Sequence, residues 1–126
     1  MNIILWAVAG LLAATFLATG LLKVARSKEQ IVGSGLAWAE DFPPAAIKLI
    51  GVAELLGALG LVLPALFGIA PILVPVAAVG LMLVMVGALI THARRGETQL
   101  LVVNVVLFAL LAFVAWGRFG PYAFES

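Results

Sequence analysis

Apolar side chains run almost without interruption through four stretches of the chain, residues 3–22, 45–63, 72–90 and 99–116. Crossing a hydrocarbon layer of about 30 Å takes about 20 helical residues, and a backbone in lipid must satisfy its own hydrogen bonds. Each stretch therefore predicts a spanning helix. The first carries no charge, while the second holds Lys48 near its start and Glu54 near its middle. No basic residue precedes the first stretch, and Lys23, Arg26 and Lys28 follow it, which favours a retained helix over a cleaved leader. The pattern predicts an all-α, integral membrane four-helix bundle, a single transmembrane domain over residues 1–126.

The breaks between the stretches differ in character. Residues 63–71 are uncharged and bracketed by Pro64 and Pro71, which predicts a tight hairpin between the second and third helices. Residues 93–98 bring Arg94, Arg95 and Gly96, the cation and glycine signals of a helix C-terminus. Segment 23–44 is too long for a turn and too mixed in polarity to span. In it Ile31, Leu36, Trp38 and Phe42 intersperse with Lys28, Glu29, Glu40 and Asp41, so a long interfacial loop at headgroup level is expected. Gly33 and Gly35 argue against one continuous helix there, and Asp41 ahead of Pro43 and Pro44 reads as a capping carboxylate for the second spanning helix. Basic residues gather in the first and third connections, against Arg118 alone on the other side. That bias places those two loops in the cytoplasm and both termini outside.

Composition narrows the function. Of 126 residues, 65% are hydrophobic and 10% charged, with a mean hydropathy of +1.27, whereas soluble domains carry about 45–50% apolar and about 25% charged residues. Seven basic against six acidic residues leave a net charge of +1, which offers no footprint for nucleic acid and makes the lipid bilayer the expected partner. Without cysteine there is no disulfide, thiolate metal site or dithiol exchange, and a single histidine cannot build a histidine-rich metal centre. No G-x-S-x-G, phosphate-binding or H-E-x-x-H string occurs.

Glu54 is the most informative residue, because a carboxylate at the centre of a span costs about 2.5–3.5 kcal/mol on insertion scales. It is expected to face the bundle interior, on a helix face shared with the small residues Gly51, Gly57 and Ala58. Its functional reading is a ligand-orienting or proton-handling acid; its structural reading is a hydrogen bond to Asn104, Thr15 or Thr19. Lys23 is expected to snorkel to the interface, with an inward reach to the cavity mouth as the alternative, and Lys48 is expected to snorkel as well. Asn104 reads as a buried amide joining helices, or as a ligand contact. His92 reads first as a solvated helix-end residue, and second as a group able to bind a quinone carbonyl, a phosphate headgroup or a moving proton. Gly80, Gly87 and Thr91 form a small-residue stripe expected to be a contact seam, with Met82 and Met85 as packing. Trp6, Trp38, Trp116 and Tyr122 suit an interfacial aromatic belt.

FLATGLLK at 16–23, IGVAELLGALGL at 50–61, Gly87 through Thr91 and His92 with the Arg94-Arg95-Gly96-Glu97 turn, and Asn104 together resemble the DoxX-like family of small four-helix membrane proteins. The resemblance implies a four-helix membrane fold in a bacterial inner membrane and singles out Lys23, Glu54, His92 and Asn104. Some members look like subunits of sulfur-compound:quinone oxidoreductases, and a eukaryotic branch resembles assembly chaperones for receptors. A membrane or oxidoreductase partner protein is therefore compatible with the sequence, as is self-association. The preferred reading is a non-catalytic ligand-binding module or accessory subunit, requiring no cofactor and holding a quinone or other apolar ligand around Glu54. The alternatives are the membrane component of a quinone-linked oxidoreductase complex and a proton-coupled transporter.

Overall fold

The four apolar stretches become helices of 22 to 24 residues in the computed structural model, which describes residues 1–123. In chain order the elements are α1 (Asn2–Ala25), α2 (Lys28–Gly33), a 3-10 helix (Ala37–Asp41), α3 (Pro44–Phe67), α4 (Leu73–Arg95) and α5 (Thr98–Phe119). α1, α3, α4 and α5 are each long and apolar enough to cross a bilayer, so the chain is an integral membrane protein, all-helical with four candidate spans among the described residues. Side chains such as Leu49, Leu56 and Leu83, 65 to 70% exposed, form the face turned to lipid.

Every span is longer than its apolar stretch. Pro64 lies inside the last turn of α3, where its missing N–H removes a single backbone bond, and Gly68 at φ +67° ends the helix. The hairpin between α3 and α4 is accordingly shorter than the 63–71 break suggests. Gly96 at φ +69° ends α4 in the same way.

The expected interfacial loop is instead folded. Ser27 and Gln30 form a reciprocal capping box that starts α2: Gln30 N–H donates to Ser27 Oγ and Ser27 N–H to Gln30 Oε1. Asp41 does not cap α3, whose N-cap is Pro43; its carboxylate accepts from Arg95 Nη1 at 2.7 Å. The segment turns back over one end of the bundle and buries Ile31, Trp38 and Ala39 together with Ile47 of α3.

α1 packs along α3, α3 on α4 and α4 on α5, and a lighter contact between α5 and α1 closes the ring. Leu12, Phe16, Leu61, Leu81 and Leu111 are buried where these helices converge. Two small residues permit a close crossing of α1 and α3: a Cβ on Gly20 would stand 2.8 Å from the Gly51 carbonyl oxygen, and one on Gly51 would stand 2.8 Å from Lys23 Cβ. The stripe at Gly80 and Gly87 is no such seam, since an added Cβ there meets nothing within 4 Å.

Candidate functional site

α1 and α5 touch tightly at one end of the bundle, where a Cβ on Gly117 would stand 2.7 Å from Leu5. Nearby, buried Arg118 donates to Asn2 Oδ1 at 2.6 Å and to the Tyr122 carbonyl at 3.0 Å. Toward the opposite end the helices leave a space of about 580 Å³, bounded by Thr19 and Lys23 of α1, Glu54 of α3, His92 of α4 and Asn104 of α5. Leu36, Trp38 and Phe42 of the folded connection cover its end. Leu83 and Val103, 69 and 48% exposed on the outer surface of their spans, also border it. The cavity wall therefore reaches the lipid-facing side of the bundle.

Three residues from two helices form its acidic corner. Lys23 Nζ pairs with Glu54 Oε1, and Thr19 Oγ1 donates to Glu54 Oε2 at 3.0 Å. The Gly20–Gly51 crossing brings α1 close enough to α3 for this to happen. The pair is buried, with side-chain exposures of 12% for Lys23 and 3% for Glu54. In such surroundings each charge depends on the other, since removing two ions from water is repaid only by close pairing and further hydrogen bonds.

A second chain of contacts runs from the cavity to the surface. Lys23 Nζ lies 5.5 Å from the centroid of the Trp38 ring, and that ring meets His92 edge-on at 6.3 Å. His92 Nδ1 is 2.9 Å from Glu97 Oε1, which also lies 3.5 Å from Arg95 Nε. Arg95 reaches Asp41 and so ties the folded connection to the end of α4. On the neighbouring wall, Asn104 Nδ2 donates to Met85 Sδ at 3.5 Å.

The four sequence candidates thus border one cavity, with roles that differ from several expectations. Lys23 does not snorkel; it turns inward to Glu54, because α3 supplies a buried anion that the α1 sequence alone does not reveal. Lys48 donates to the Val24 carbonyl at 2.8 Å and the Arg26 carbonyl at 3.5 Å, closing the C-terminus of α1. His92 is no solvated end residue, being 6% exposed and held between Trp38 and Glu97. Trp38 is not a belt residue, since it is buried under the folded connection. Of the structural partners considered for Glu54, Thr19 is the one that bonds; Thr15 donates to the Leu11 carbonyl and Asn104 to Met85. Sequence reasoning gave no role to Glu97 and treated Arg118 only as a flanking charge. The signal for Glu97 was its place five residues beyond His92 across a helix-ending glycine.

Compared with known proteins, residues 7–114 match the model described as the DoxX-like family, a stretch that contains Lys23, Glu54, His92 and Asn104. No curated protein and no solved structure matches the chain.

Proposed function

Since the chain belongs to the DoxX-like family, we propose that it is a ligand-binding membrane module that holds a lipid-soluble ring compound of the quinone class beside Glu54. The observation that carries this reading is that the Lys23–Glu54–Thr19 cluster borders open space of about 580 Å³ instead of packed side chains. A buried ion pair adds little stability on its own, because the cost of taking both charges out of water offsets their attraction, so structure alone gives weak reason to keep one here. Ligand sites, by contrast, are apolar hollows of about 300–1,000 Å³ with a few polar groups on their walls.

The residues fit a flat ring with an oxygen at each end. Lys23 has N–H groups beyond the one given to Glu54, His92 and Asn104 stand on walls supplied by α4 and α5, and Trp38 offers an aromatic face. The lipid-facing border at Leu83 and Val103 suits an apolar tail. A quinone bound there supplies two-electron redox chemistry. The chain itself orients the ring and keeps bulk water from it.

Native purification from membranes, followed by mass spectrometry, tests the reading. A ring compound that accompanies the wild type and is depleted in Glu54→Gln supports it. Equal retention of small molecules by both proteins, with no partner co-purifying, overturns it.

A further inference from the structure

Donor and acceptor chemistry differs between the two sides of the cavity. On the α4–α5 side, His92 Nδ1 is engaged by the Glu97 carboxylate, while Nε2 makes no hydrogen bond among the described residues. In the neutral imidazole, a hydrogen bond from Nδ1 to a carboxylate oxygen puts the proton on Nδ1 and the lone pair on Nε2. Asn104, a residue 8% exposed, gives one Nδ2 hydrogen to Met85 Sδ, a thioether that can only accept, and its Oδ1 has no partner among the described residues, so it adds a second acceptor beside one remaining N–H. Both groups border the cavity.

We propose that Glu97 is the positioning residue of this site: it fixes His92 as a hydrogen-bond acceptor toward the cavity, so that the site selects ring ligands bearing an O–H, hydroquinones or related phenols, over the carbonyl-only form of the same ring. This inference rests on the ligand-cavity reading and deepens it. A carbonyl oxygen facing Nε2 places acceptor against acceptor and leaves the imidazole lone pair unmet, whereas a hydroxyl donates to it. Gly96, in its left-handed turn, carries the chain from α4 to Glu97 so that the carboxylate returns to His92; Arg95 approaches the same oxygen and restricts it.

Two measurements on the full-length protein in nanodiscs test the inference. The first is nitrogen NMR of labelled histidine without added ligand, at alkaline pH. The expected wild-type spectrum has a protonated Nδ1 and a bare Nε2, and Glu97→Ala gives a mixture of tautomers. A proton on Nε2 in the wild type overturns the positioning role. The second compares the affinity of a short-tailed benzoquinone with that of its hydroquinone. The wild type is expected to favour the hydroquinone about tenfold, the scale of one buried hydrogen bond. Glu97→Ala is expected to remove that preference while still binding the oxidised form. Equal binding of both forms by the wild type, or a preference that survives in Glu97→Ala, overturns the selectivity. Failure of either form to bind while the tautomer is fixed overturns the cavity reading, and the selectivity with it, but not the placement of the proton.

Discussion

Replacing Lys23 by Met removes the cation and keeps most of the side-chain volume, leaving Glu54 at 3% side-chain exposure with only Thr19 as a partner. Deleting one member of a buried pair costs about 3–5 kcal/mol, chiefly because the other is left uncompensated. The reverse change, Glu54→Gln, leaves Lys23, which is 12% exposed, lies against Trp38 and sits near the end of α1 where its ammonium can swing toward water. Its cost is expected to be smaller, about 1.5–3 kcal/mol, on the scale of a lost hydrogen bond to a charged group. In Lys23→Met with Glu54→Gln no charge remains to be met, and the double variant is expected within about 1 kcal/mol of the wild type, since neutral replacement of a buried pair is often harmless. The cycle is measured by reversible unfolding in mixed micelles, following helical circular dichroism. A coupling below about 0.5 kcal/mol, the level expected of independent sites, would refute the claim that the two charges are paired in a buried corner.

Other consequences are simpler to measure. Gly20→Ala drives a Cβ to 2.8 Å from the Gly51 carbonyl and is expected to destabilise by about 1–3 kcal/mol in the same unfolding assay. Gly80→Ala, with open space around the added methyl, is expected to be neutral or slightly stabilising, and equal costs for the two would contradict the crossing described. Arg95→Gln unties Asp41 and is expected to speed amide exchange within the 3-10 helix while leaving the global unfolding midpoint unchanged. Exchange that stays at the wild-type rate would mean that Arg95 does not hold the folded connection in place.

The spans were legible because length and apolar continuity are one-dimensional properties that a bilayer reads directly. Glu54 was legible for the related reason that a charge at mid-span must turn inward. What the sequence could not convey was which neighbour each inward group meets. Lys23 looked like an interfacial lysine until the Gly20–Gly51 crossing set α1 against α3, and the two glycines were the clue. Trp38 and His92 carried the signatures of a membrane border, an aromatic and a basic helix end. They are buried because α2 and the 3-10 helix fold back across the bundle, a tertiary event with only the capping box at Ser27 as its local sign. Gly80 and Gly87 show the limit of small-residue patterns. The same stripe that can let two helices meet can also leave room between them, and Gly87 borders the cavity.

Whether the cavity holds the ring is read by titrating nanodisc-embedded protein with a tailed quinone in a Trp6→Phe, Trp116→Phe background, where Trp38 is the sole tryptophan. Saturable quenching at one site is expected, shifted to about tenfold weaker affinity in Glu54→Gln, where Lys23 loses the partner that holds it at the cavity wall. Quenching that rises without saturation and is unchanged in Glu54→Gln would mean that the quinone meets the protein only from the surrounding lipid.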